Sequence, residues 1–178
     1  MITVGVGDCR VSNDRNAALV THALGSCIAV AVFDAHACVA GLLHLLLPES
    51  GLNPELARQQ PHMFADTGIP DLLREVYAHG AGRNHLAVWL VGGAQVLDPN
   101  GVFQIGRKNY EASRRILQAA GIGVQAEAVG GSISRTLRLE IGSGISWNSC
   151  GGEHHTLASW TTAPGDFGPR AAWKGGSS

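Results

Sequence analysis

In the stretch THALGSCIAVAVFD, residues 21–34, Cys27 stands where small, flexible residues give way to an apolar run. His44 is the polar interruption of a second apolar run, VAGLLHLLLP, residues 39–48. A free thiol has a pKa of about 8.5 and is mostly protonated at neutral pH, and a nearby imidazolium lowers that value. A cysteine and a histidine in reach of each other supply a nucleophile, a base and a proton donor for a leaving group. Thr21 precedes the Gly25–Ser26 bend, and its hydroxyl or carbonyl can return to hold the second imidazole nitrogen. The backbone N–H groups of Gly25, Ser26 and Cys27 are candidates for binding a developing oxyanion.

Whether the two side chains meet depends on strand register. The runs flank a short link, AHAC, so residues 27–47 read as a β-hairpin. With Asp34 opposite Val39, paired numbers sum to 73. Ala29 then faces His44, and Cys27 lies diagonally from that pair on the same face. A sum of 71 puts Cys27 directly opposite His44, whereas 72 sends the two to opposite faces.

Other chemistries fit less well. A buried packing role is the alternative for Cys27, and inert thiols for Cys9, Cys38 and Cys150. Zinc would draw on Cys27 and His44 with His22, or with Cys150, His154 and His155, or on His36 and Cys38. None of these sets has the compact spacing of a structural zinc site. LGSCI lacks the G-x-S-x-G elbow that would mark Ser26 as a hydrolase serine. GVGDCR and VGGAQ match neither a dinucleotide fingerprint nor a P-loop.

The elements that must position these residues follow from patterning. ITVGV and ALVTHAL read as short strands, and IAVAVFD as a strand covered on both faces. The polar segment 49–63 reads as a loop with a helical turn at ELARQQ. In DTGIPDLLREVYAHG, Ile69, Leu72, Leu73, Val76 and Tyr77 follow helical spacing, with Pro70 suited to a first turn and Gly80 to the stop. HLAVWLVGGA is an apolar strand ending in a Gly-Gly bend. A second helix is expected over residues 109–120, with Ala112, Ile116 and Leu117 inward. GIGVQAEAV and TLRLEIGSGISW alternate as strands do. The expected fold is a layered α/β (α+β) sandwich with mixed β-sheets and at least two packed helices. One domain, 1–147, is expected, followed by a Gly/Pro/Ser-rich tail, 148–178.

Composition sets the outer limits. The 178 residues are 45% hydrophobic and 15% charged, with a formal net charge of -1. No basic cluster interleaved with aromatics suggests nucleic-acid binding. No apolar run approaches a membrane span, the N-terminus lacks a signal-peptide layout, and four scattered cysteines suit a reducing cytoplasm.

THALGSCIAVAVFD followed by GLLHLLLP closely resembles the core of the CheD-type chemoreceptor glutamine deamidases. FADTGIPDLL, VGGAQVL, IGRKNYEASRRIL and VGGSISR continue the resemblance in family order, over roughly residues 3–145. The resemblance implies Cys27 as nucleophile, His44 as general base and acid, and Thr21 as third residue. It implies hydrolysis of glutamine side-chain amides of methyl-accepting chemotaxis receptors to glutamate, with glutamate methyl esters as further substrates in some members. It implies no metal or organic cofactor, and a CheC-type phosphatase as a kind of partner. A non-catalytic module that keeps the fold and docks to a chemotaxis protein is the competing reading. Ala23 stands where the family often has glycine, and Val129 where an acidic residue is frequent before GG.

Overall fold

The computed structural model describes residues 1–96, 103–149 and 151–159. Ten strands form two mixed five-stranded sheets, and two long helices cover one of them. The first sheet has the order β1-β3-β8-β9-β10, made of Ile2–Thr3, Ala18–Leu24, Arg135–Glu140, Gly144–Ser149 and His154–Ser159. The second has the order β2-β5-β4-β6-β7, made of Cys9–Ser12, Val39–Leu45, Ile28–Asp34, Leu86–Gly92 and Ala126–Val129. The β1–β3 and β6–β7 pairs are parallel, and the remaining neighbours are antiparallel.

Strand β4 lies at the centre of the second sheet and is buried along its whole length. Successive side chains of a strand point to opposite faces. Ala29, Ala31 and Phe33 therefore face the first sheet, in a core with Leu19, Leu137, Leu139 and Trp89. Ile28, Val30 and Val32 face the helices, in a second core with Ile69, Leu72, Val76 and Leu117. The architecture is thus helix layer, sheet, sheet. Full burial of each large apolar side chain contributes about 1.5–3 kcal/mol, so the doubly covered strand is a rigid platform.

Helices α1 (Pro54–Gln59), α2 (Ala65–Ala78) and α3 (Ile105–Ala119) complete the fold. Both long helices begin earlier than periodicity indicates. Pro70 is not in a first turn but lies inside α2, where its missing N–H leaves the Asp66 carbonyl without its usual helical donor. Helix α3 starts at Ile105, so Asn109 sits within the helix rather than at its start. Segment 136–147 is not one strand: it turns after Glu140 to make the β8–β9 hairpin. Strand pairing also runs past residue 147, since β9 reaches Ser149 and β10 adds an edge. The rest of the expected tail, from residue 160, and Cys150 lie outside the described residues.

Candidate functional site

The β4–β5 hairpin adopts the register in which Ala29 pairs with His44 and Asp34 with Val39. Its turn is fixed by the buried Asp34 carboxylate, which accepts the N–H groups of His36 (2.8 Å), Ala37 (3.1 Å) and Gly82 (2.7 Å). Cys27 immediately precedes β4 and shares the parity of Ala29. It belongs to the core between the sheets, on the His44 side. Thr21 comes from β3 in the opposite sheet, and its Oγ1 lies 2.7 Å from His44 Nδ1. The site is therefore built across the gap between the two sheets, with Thr21, Cys27 and His44 all buried.

One hydroxyl proton decides the imidazole's tautomer. Thr21 Oγ1 donates to the Val4 carbonyl at 2.7 Å, and that carbonyl can only accept. The hydroxyl must then accept from His44, so Nδ1 carries the proton. Nε2 is left with a bare lone pair, buried and without a hydrogen-bond partner among the described residues. Parallel pairing of β1 with β3 brings Val4 to this position, and the Val4 N–H bonds the Val20 carbonyl.

Burial lowers the His44 pKa to about 4 and raises that of the Cys27 thiol, although the residue's own N–H partly offsets the second effect. Both groups are neutral at rest. This differs from the imidazolium–thiolate pair that sequence chemistry suggests, because neither charge is solvated between the sheets. Among the described residues no hydrogen bond joins His44 Nε2 to the Cys27 thiol, although both groups belong to the region between the sheets.

The bend before β4 is clamped along its carbonyl side. Gly25 O accepts from Ala94 N (2.7 Å), and Cys27 O from Gly93 N (2.8 Å). Ser26 O accepts from Asn109 Nδ2 at 3.0 Å. A second bond from the same Nδ2 reaches Leu46 O at 2.8 Å, just beyond β5. Two glycines permit this closeness. A Cβ on Gly92, whose φ is +119°, would lie 2.2 Å from Cys27 O, and one on Gly106 would lie 2.5 Å from Gly93 O. The VGG and IG-x-(+)-N segments thus meet behind the cysteine.

The oxyanion candidates divide accordingly. Gly25 is corrected: its N–H is taken by the Ala23 carbonyl at 2.9 Å, in a tight turn that gives Ala23 a left-handed φ of 56°. Among the described residues, the N–H groups of Ser26 and Cys27 make no bond to another residue. Sequence reasoning missed Val4, which contributes only a carbonyl, and Asn109, a polar residue on the apolar stripe of α3. That stripe position, one turn before Ala112 and Ser113, was the available signal.

Among the described residues, the group with metal-ligand proximity is Asp34, His36 and His85, with ligand atoms within 4.8 Å of one another. It lies at the turn of the hairpin and does not include Cys27 or His44. His22 is exposed, beside Thr136, and His155 stacks on Trp147. At the turn after Val129, Arg135 bonds Gly130 O at 2.9 Å and lies over Trp147, while its buried Nε has no partner among the described residues.

Fold and site define a helix-covered double-sheet sandwich with a hydrogen-bonded imidazole and hydroxyl, and a buried thiol, between its sheets. The family model for CheD chemotactic sensory transduction matches residues 46–149, beginning just beyond His44. A probable chemoreceptor glutamine deamidase CheD of Solibacter usitatus is 49% identical over 156 residues, covering 88% of this chain and 92% of the relative. A similarly named CheD 2 protein of Anaeromyxobacter dehalogenans is 49% identical over 144 residues, 81% of this chain and 91% of its own. One from Pyrococcus horikoshii is 38% identical over 145 residues, with coverage of 80% and 88%. The chain belongs to the CheD family.

Proposed function

We propose that this protein is a cysteine-dependent chemoreceptor glutamine deamidase, converting glutamine side chains of methyl-accepting receptors to glutamate and ammonia. The observation that carries the mechanism is the Thr21–His44 hydrogen bond, which leaves Nε2 as the free base on the face shared with Cys27. As substrate enters, Cys27 turns toward Nε2, a contact that substrate-free sites often lack. Nε2 takes the thiol proton while sulfur attacks the amide carbon. The N–H groups of Ser26 and Cys27 hold the oxyanion. The imidazolium then passes its proton to the amide nitrogen, the C–N bond breaks, and ammonia leaves a γ-glutamyl thioester. Water, deprotonated by Nε2, attacks the thioester; the C–S bond breaks and the sulfur recovers the proton.

The same cycle accepts a glutamate methyl ester, with methanol as leaving group. The catalytic unit is the expected 1–147 domain, acting in the cytoplasm, and a CheC-type phosphatase is its regulatory partner. Mass spectrometry of co-expressed receptor tests the reading. Wild-type protein should convert receptor glutamines to glutamate, and Cys27→Ala should abolish conversion while keeping the fold. Unchanged conversion by Cys27→Ala would remove the cysteine from the mechanism.

The raised thiol pKa favours a second reading, a docking module with an unreactive cysteine. Receptor binding without any conversion by the wild-type protein would select it.

A further inference from the structure

The amide of Asn109 is fully buried and lies outside the thiol–imidazole–hydroxyl set. Its Nδ2 spans two otherwise separate chain segments, Ser26 before β4 and Leu46 after β5. The bond to Ser26 matters because of what shares that peptide unit. The carbonyl of Ser26 and the N–H of Cys27 belong to one planar group, and no peptide bond among the described residues is cis. In a trans peptide the C=O and N–H vectors point in opposite directions. Holding the Ser26 oxygen toward α3 therefore aims the Cys27 N–H away from α3. That face of the bend is the one opposite the Asn109 amide. The adjacent peptide is fixed the same way: Ala94 N holds Gly25 O and so directs the N–H of Ser26.

We propose that Asn109 is a positioning residue for the oxyanion site, anchoring the 26–27 peptide from behind so that the Cys27 N–H meets the developing negative charge. The assignment rests on the deamidase reading above. It is separate from activation of the thiol, since His44 is held independently. Strand β5 pairs with β4 on one side and β2 on the other, and the imidazole bonds Thr21. The close approach of Gly106 to Gly93 gives the amide its reach, by seating the start of α3 against the bend.

The test compares two reactions of one cysteine. Amide hydrolysis passes through an oxyanion, whereas alkylation by iodoacetamide displaces iodide at a saturated carbon and needs no oxyanion site. Asn109→Leu keeps the side-chain volume and removes the donor. Its kcat for ammonia release from a receptor cytoplasmic domain should fall about 10–100-fold, below the 10²–10³ seen when an oxyanion donor is deleted outright. KM and the pH profile of Cys27 alkylation, read by site-resolved mass spectrometry, should stay within about threefold of wild type, the scatter expected for an indirect change. Ser113→Ala removes a neighbouring buried bond to the Asn109 carbonyl (2.8 Å) and serves as the control for helix stability alone. It should lower Tm and leave both rates unchanged. Where Asn109→Leu does not fold, Asn109→Ala carries the same comparison. An unchanged kcat, or a parallel fall in turnover and alkylation, would overturn the assignment. Absence of turnover in the wild-type protein would instead overturn the deamidase reading.

Discussion

Replacing Thr21 with valine tests whether a hydroxyl sets the state of the histidine. The substitution keeps the β-branched shape and deletes one oxygen. Two buried groups lose their partner: the Nδ1–H of His44 and the carbonyl of Val4, both bonded at 2.7 Å. Each unsatisfied buried group costs about 1–3 kcal/mol, and the methyl group returns part of that as apolar burial. A net loss of about 3 kcal/mol corresponds to roughly 6–12 °C in Tm for a chain of this size. Catalysis should suffer separately. Without the acceptor, nothing keeps the proton on Nδ1, and a proton on Nε2 would make that nitrogen unable to accept from Cys27. Loss of tautomer control in a hydrolase triad costs up to about 10⁴ in kcat where the third group is charged. For a neutral hydroxyl we expect about 10², read as ammonia release well below the Tm of the variant. Nitrogen NMR of the imidazole gives the direct readout: wild type should show a protonated Nδ1 and a bare Nε2 at pH 7. A wild-type spectrum with the proton on Nε2, or a valine variant that loses stability but keeps full turnover, would refute the reasoning.

Three further predictions follow from the same contacts. Because the fold lowers the His44 pKa from 6.5 to about 4, the unfolded chain binds the proton first as pH falls. Stability should therefore be complete above pH 6.5 and decline toward pH 4, by about 3 kcal/mol in total. Burial works against ionisation of Asp34, but its backbone bonds outweigh that and lower its pKa below 3.8, so its own loss comes only at more acid pH. Urea unfolding at pH 7, 5.5 and 4.5 measures the slope, and a flat profile would contradict a neutral buried imidazole. Gly106→Ala should destabilise by about 1–3 kcal/mol despite the better helix propensity of alanine. Its Cβ would meet the Gly93 backbone at 2.5 Å, and displacement of α3 should lower turnover through the Asn109 clamp. Ala23→Gly should stabilise by about 0.5–1 kcal/mol, since the left-handed strain relieved exceeds the added chain entropy. A lower Tm for that variant would show that the Ala23 methyl does something beyond occupying the turn.

Two apolar runs around a short link mark the hairpin but leave three registers open; the turn held by the Asp34 carboxylate selects the one that pairs Ala29 with His44. The helix starts were not. Neither Phe64 nor Gln104 makes a side-chain cap bond, so α2 and α3 begin without the polar signature from which a start is read. Placing α3 too late hid the inward direction of Asn109. The Ile141–Ser143 turn reads as strand interior in sequence because residues on both sides of it alternate. The relation of Thr21 to His44 across two sheets is a packing result, and local patterning carries no information on which sheet faces which.

The neutral resting pair has a physical origin that links these observations. A thiolate and an imidazolium placed between two apolar sheets would each lose hydration, and their attraction offsets that only with excellent geometry and further bonds. Among the described residues the imidazole has one hydrogen bond, to Thr21, and none to the thiol. In the proposed cycle charge separation is therefore deferred until substrate is present, when the negative charge resides on an oxygen rather than on sulfur. An enzyme that starts from a neutral pair depends more on what receives that oxygen than one that starts from a formed thiolate. In the proposed cycle the fixed carbonyls of Gly25 and Ser26, which direct the N–H groups of Ser26 and Cys27, would meet this need, because a donor held before the reaction begins requires no reorganisation during it.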